Sequence, residues 1–249
     1  MQATLVFLVA LLLTFATVGV ERADSPMTQK PSGTCPGFLT TSIAVDGKQV
    51  NYVVYVPPSY DPARPIPTII FLHGKGECGT DGLKQIAVGL GPAVMRDADK
   101  WPFLIIFPQK QIEKSAWEEC DAMVVAILDQ SKKDFNVDSS RLYLTGLSQG
   151  GHGTWTIAAR HPDLFAALAP ICGWCEKSDA EKLVKVPIWC FHGEADDVVK
   201  IDNAREMCDY LKGVGSPVKF TAYPGVGHNS WDKAYCEEAL YDWFLGHHR

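Results

Sequence analysis

Gly146-Leu147-Ser148-Gln149-Gly150-Gly151 is the stretch on which the reading of this chain turns. It fits the Gly-x-Ser-x-Gly pattern of a nucleophile elbow. Before it runs Arg141-Leu142-Tyr143-Leu144-Thr145, apolar and strand-like. After it comes a helix-like segment, 153–161, stopped by Pro162. A sharp strand-to-helix turn strains the serine backbone and exposes its hydroxyl. Small residues two before and two after the serine let strand and helix approach closely.

Outward from the elbow, apolar runs alternate with helical stretches. Residues 68–72, 103–107, 165–171, 187–191 and 218–222 read as strands, several of them buried on both faces. Residues 116–135 form a helical pattern with Trp117, Cys120, Val124, Ile127 and Leu128 on one stripe. Residues 202–212 and 235–245 read as helices too. Upstream, 41–45 and 49–56 form a hairpin, joined by Asp46-Gly47, a pair suited to a tight turn with positive φ. The pattern predicts an α/β fold with a mostly parallel sheet of about eight strands, helices on both faces and an N-terminal antiparallel hairpin. The interval between the strands ending near 171 and starting near 187 has room for one short helix. No large cap domain is expected, so the site should be open.

A single domain over 38–249 accommodates all of these elements. Residues 24–37, rich in Pro, Ser, Thr and Gly, form a leader. Residues 1–23 read as a signal peptide, with an apolar run over 5–20 followed by polar Glu21-Arg22. The rival reading is an uncleaved anchor, but the run is short of the roughly 20 residues a bilayer span needs. The protein is therefore expected to be secreted or periplasmic, without stable membrane insertion after signal removal. The eight cysteines fit an oxidising compartment and predict disulfides. Cys172 with Cys175 is one candidate pairing, and Cys208 with Cys236, on two late helices, is another. Formal net charge is -6 with no basic stripe, which argues against a nucleic-acid partner. A monomer is expected.

A serine hydroxyl needs a base, and the base needs an orienting acid. Both should lie downstream, acid before base. The acid loop is His192-Gly193-Glu194-Ala195-Asp196-Asp197-Val198-Val199. Glu194, Asp196 and Asp197 compete there, and the His-Gly-x-x-Asp-x-x-Val spacing favours Asp196. The base is His228, in a Gly-rich loop after the last strand. His73 and His192 each precede a glycine at a strand end and are read as turn-shaping residues. Attack on a carbonyl creates an oxyanion, which the backbone N–H groups of Gln149 and Lys75 should hold. Lys75 lies in the Gly-rich segment His73-Gly74-Lys75-Gly76-Glu77, which lacks a phosphate-loop ending. Trp117 and Trp231 are candidate substrate-binding walls, with ordinary packing as the alternative for each. Cys172-Gly173-Trp174-Cys175 has no thioredoxin-like context and no further ligands for zinc. No metal and no cofactor are expected.

The segments His73-Gly74-Lys75-Gly76-Glu77, Gly146-Leu147-Ser148-Gln149-Gly150-Gly151, Phe191-His192-Gly193-Glu194-Ala195-Asp196 and Gly227-His228-Asn229-Ser230-Trp231, in this order, resemble the α/β-hydrolase superfamily over roughly residue 40 to the end. Within it the chain is similar to secreted esterases related to feruloyl esterases and polyhydroxybutyrate depolymerases. Its Ser-Gln-Gly-Gly elbow also resembles that of acyl-protein thioesterases. The resemblance implies hydrolysis of a small-molecule or polymeric carboxylic ester through a Ser148-His228-Asp196 triad and an acyl-enzyme. A serine peptidase or thioesterase on the same triad, or a non-catalytic binding protein on the same scaffold, are the alternatives. Activity should rise with pH as His228 loses its proton.

Overall fold

The computed structural model describes residues 35–249. The signal peptide, and the leader up to residue 34, lie outside the described residues. Strand β1 (Gly37–Val45) opens the chain one residue before the predicted domain start, and pairs antiparallel with β2 (Lys48–Val56). Their turn carries positive φ at both Asp46 (49°) and Gly47 (73°), as a two-residue hairpin of this hand requires.

The strands β3 (Ile66–Leu72), β4 (Leu104–Pro108), β5 (Val137–Leu147), β6 (Ala167–Ile171), β7 (Ile188–Gly193) and β8 (Val218–Tyr223) complete one sheet. Its order is β1-β2-β4-β3-β5-β6-β7-β8, with β4 antiparallel to β2 and every later pairing parallel. From β3 the chain crosses first to one side and then, through β5, to the other. The reversal leaves a crevice at the carboxyl ends of β3 and β5, where open sheets of this kind bind ligands. Register brings the loops together there. Leu72 lies opposite Gly146, Leu147 opposite Ile171, Ile171 opposite Phe191 and Gly193 opposite Tyr223.

Alternate residues of the buried strands feed two cores. Ile70, Leu72, Leu142 and Leu144 point to one face, and Ile69, Phe71, Tyr143 and Leu147 to the other. The first face is covered by α2 (Asp121–Asp134), α3 (Gln149–Arg160), α4 (Lys177–Lys182) and α5 (Ile201–Gly213). The second is covered by α1 (Leu90–Arg96), α6 (Trp231–Ala234) and α7 (Glu238–Leu245). Each fully buried aliphatic or Phe side chain contributes about 1.5–3 kcal/mol.

Two predicted helices start late. The 116–135 helix opens as a 3-10 turn, Trp117–Cys120, in which the Glu119 carboxylate accepts the Ala116 N–H before α2 begins. The 235–245 helix begins only at Glu238, as α7, and α6 is a separate single turn before it. Helix α1 went unread because Leu90-Gly91-Pro92 looks like a turn; a proline in the first helical turn sacrifices no hydrogen bond. Only α4 separates β6 from β7, so no cap is inserted there among the described residues.

The disulfide expectation is not met in the structure: none of the eight cysteines is paired with another. Cys172 packs into one core and Cys175, three residues further along the loop after β6, into the other, on opposite faces of the sheet. Cys208 is buried on the inner side of α5, whereas Cys236 is exposed between α6 and α7.

Candidate active site

Strand β5 ends at Leu147 and α3 starts at Gln149, so one residue, Ser148, makes the whole turn. It does so at φ 54° and ψ -118°, a conformation that costs a non-glycine residue about 1–3 kcal/mol. The turn survives because its neighbours have no side chains. A Cβ on Gly146 would lie 2.4 Å from the Gly150 carbonyl oxygen, and one on Gly150 would lie 1.9 Å from that of Leu72. The Ser148 N–H is anchored below by the Ile171 carbonyl (2.9 Å) and the Cys172 sulfur (3.3 Å).

The Ser148 hydroxyl is 2.9 Å from His228 Nε2, and His228 Nδ1 is 2.8 Å from Asp196 Oδ2. His228 is reached from the loop after β8, and Asp196 from the loop after β7. The imidazole is partly open to the cleft; the Asp196 side chain is fully buried. The other oxygen of Asp196 accepts the N–H groups of Val198 (3.0 Å) and Val199 (2.9 Å). Burial alone would raise the Asp196 pKa, but the His228 bond and these two N–H groups outweigh it and hold the carboxyl below its usual range. Asp197 is exposed, and Glu194 is exposed and bonded to Arg205. The structure therefore brings Ser148, Asp196 and His228 together and leaves the two rival carboxylates outside.

Gln149 is the first residue of α3, and Lys75 the first of a 3-10 turn, Lys75–Glu77. First-turn N–H groups have no partner inside their own helix, which leaves them to face a ligand. The Lys75 loop does reach the elbow serine: a Cβ on Gly74 would sit 3.6 Å from that of Ser148. The loop is braced by His73, whose ring lies fully buried. Its Nδ1 donates to the Gly74 carbonyl (2.6 Å), its Nε2 accepts the Lys110 N–H (2.9 Å), and its own carbonyl accepts the Trp117 indole N–H (3.0 Å). Burial drives its pKa down to about 4, so the ring is neutral.

The two tryptophans part company. Trp231 is partly exposed and stands edge-on to His228, with ring centroids 5.4 Å apart, at the rim of the site. Trp117 is fully buried, packed under α3 where a Cβ on Gly153 would strike it at 2.5 Å. It offers no face to a substrate; its indole braces the loop after β3 from below. Its apolar stripe position signalled this role.

Three side chains escaped the sequence reading. Lys110 is buried, its ammonium bonded to the carbonyls of Ile112 (2.9 Å) and Ser115. The Gln149 side chain donates to the same loop, at Glu113 O (3.2 Å) and Ser115 O (3.3 Å). Trp174 lies flat against His152, one turn beyond the serine, with centroids 4.4 Å apart. Lys110 carries no motif, and the motifs holding Gln149 and Trp174 give no sign of what these two side chains touch; only folding sets those contacts. One trio of metal-type ligand atoms clusters among the described residues: Cys172, Asp196 and His228, within 4.8 Å of one another. Asp196 and His228 already bond each other, and burial pushes the Cys172 thiol up to about 12, which disfavours the thiolate that a metal would need.

Comparison with known proteins follows this geometry. The profile of the dienelactone hydrolase family matches residues 106–238. A bifunctional acetylxylan esterase/xylanase of Neocallimastix patriciarum is 28% identical over 59% of the chain and 22% of its own length. A carboxylesterase of Arabidopsis thaliana is 31% identical over 57% of the chain and 64% of its own length. The crystal structure of a thermostable esterase superposes with a TM-score of 0.78 at 32% identity, covering 85% of this chain and 63% of that one. The chain thus spans less than two thirds of each of these relatives. Among the described residues no helix is long and apolar enough to cross a membrane.

Proposed function

The chain belongs to the dienelactone hydrolase family, and from that premise we propose that it is a serine esterase that cleaves carboxylic esters through an acyl-enzyme. The observation that carries the reading is the continuous line Ser148 Oγ, His228 Nε2, His228 Nδ1, Asp196 Oδ2, with contacts of 2.9 and 2.8 Å. His228 Nε2 takes the hydroxyl proton as Ser148 Oγ bonds to the ester carbonyl carbon. The carbonyl oxygen becomes an oxyanion held by the N–H groups of Lys75 and Gln149. The imidazolium, stabilised by the Asp196 carboxylate, returns the proton to the departing alkoxide. Water, activated by the same nitrogen, then releases the acid and regenerates Ser148. The absence of a cap between β6 and β7 supports a bulky or polymeric alcohol side. Acetylxylan esterase relatives point the same way. Export, through a signal peptide at 1–23, fits such a substrate, as does a relative described as a secreted protein.

The test is Ser148→Ala assayed on p-nitrophenyl acetate. Turnover should fall by roughly a millionfold if the three groups act as a unit, and a fluorophosphonate probe should label the parent protein but not the variant. Near-parental hydrolysis by the variant would refute the assignment. A thioesterase uses the same relay, and an acyl-protein thioesterase is among the relatives. Rates on matched ester, thioester and amide substrates separate these activities.

A further inference from the structure

His192 ends β7 directly before the loop that carries Asp196, and its side chain is completely buried. Its Nε2 faces two acceptors, the Val199 carbonyl oxygen at 2.8 Å and Asp196 Oδ2 at 3.2 Å. A nitrogen between two acceptors must carry a hydrogen, so the Nε2–H tautomer is imposed. Nδ1 is buried with no partner at all. A second proton there would have neither solvent nor acceptor.

We propose that His192 is a positioning residue of the relay: its neutral ring donates from Nε2 to the Asp196 carboxylate and the Val199 carbonyl, and holds the acid aimed at His228. This inference rests on the triad reading above. Contacts from three sides meet at the carboxylate. Val198 and Val199 fix one oxygen from the loop's own backbone, and His228 takes the other from in front. His192 contacts that second oxygen from behind and ties it to the far end of the same loop. The loop glycine fits this closure, since a Cβ on Gly193 would lie 2.3 Å from the carbonyl oxygens of Val226 and Gly227, which lead into His228.

Neutrality matters as much as position. A cation behind Asp196 would compete with the imidazolium of His228 for one negative charge, and so weaken the base. A neutral donor orients the carboxylate and leaves its charge for His228. Burial lowers the His192 pKa, against the opposing pull of the Val199 carbonyl and Asp196, and the ring stays uncharged. The titratable groups around it are Asp196, His228 and, beyond the carboxylate, Cys172; the Lys200 ammonium lies 3.5 Å from the Asp196 carbonyl oxygen.

The experiment compares His192→Leu with His192→Gln, whose amide N–H has the reach of Nε2. With Leu, kcat should fall by roughly a hundredfold through misalignment with KM little changed. The acid limb of the kcat/KM profile should move to lower pH, because a carboxylate no longer held stabilises imidazolium less. Gln should restore most of kcat and return the limb. An unmoved limb, or equal loss in both variants, makes His192 a merely structural residue and overturns the proposal, as does full activity with Leu. Should the Leu variant not fold, nitrogen NMR of the parent decides: His192 must remain the neutral Nε2–H tautomer from pH 5 to 8. Titration in that range, or a proton on Nδ1, overturns the proposal. This readout is independent of whether Ser148 is the nucleophile, so a failure of the triad reading is distinguishable from a failure here.

Discussion

His73 at the end of β3 and His228 in the loop after β8 flank the same cleft with the same side chain, and the fold uses them in opposite ways. His73 is sealed from solvent, with Nδ1 and Nε2 committed to Gly74 and Lys110. Burial leaves it neutral, with its pKa down to about 4. His228 keeps part of its ring open, and its two nitrogens meet a hydroxyl and a carboxylate instead of backbone. An imidazole becomes a proton carrier when its partners can themselves exchange or balance a proton, and a strut when they cannot. Lys110 N–H and Gly74 C=O can do neither, so His73 can only hold the loop after β3 in place.

The contrast is broken most severely at Asp196. Asp196→Asn keeps the shape of the acid but removes its charge and favours the wrong His228 tautomer, so kcat should fall by roughly 10⁴-fold. Loss of less than tenfold on p-nitrophenyl acetate would mean that His228 needs no acid. The His73 side of the contrast is sharpened by stability against pH. The folded pKa of about 4 lies below the ordinary 6.5 of histidine, so the unfolded chain binds the extra proton between these values. The stabilisation is complete above about pH 6.5 and is lost as pH falls toward 4, amounting to about 3 kcal/mol. Urea unfolding at pH 7 and pH 4.5 should show this loss in the parent and a smaller pH difference in His73→Asn, which is less stable at pH 7. Equal pH dependence in both would remove His73 from the account.

The two tryptophans test the same division with smaller effects on activity. Trp117→Ala, under the oxyanion loop, should cost about 3–5 kcal/mol of stability, read as a lower urea midpoint. Trp231→Ala, beside His228, should leave the midpoint nearly unchanged and alter KM for aromatic over acetyl esters by less than about tenfold, the value of a modest apolar contact. A reversal of these two outcomes would contradict the burial pattern.

Much of this arrangement was legible in the chain because some positions admit one answer locally. Asp46-Gly47 has to turn, and the runs at 68–72 and 103–107 have to be buried strands. The order Ser148, Asp196, His228 could be read from motif flanks. Other positions had no local answer. Helix α1 hid behind Gly91-Pro92, and the single turn α6 is too short to show a helical period. Lys110 looks like any surface lysine until its ammonium is seen among backbone carbonyls.

The sequence by itself determined the alternation of strands and helices, and the elbow. Periodicity expresses which faces must leave water, and the glycines at 146 and 150 express which backbone atoms must touch. Only the tertiary structure decided that Trp231 borders the cleft while Trp117 does not, that the Lys110 ammonium is buried among carbonyls, and that Cys172 and Cys175 face opposite cores. Each of those outcomes depends on the direction of one side chain against residues distant in sequence. Directions of that kind are fixed by sheet register and packing, which no short stretch of chain contains.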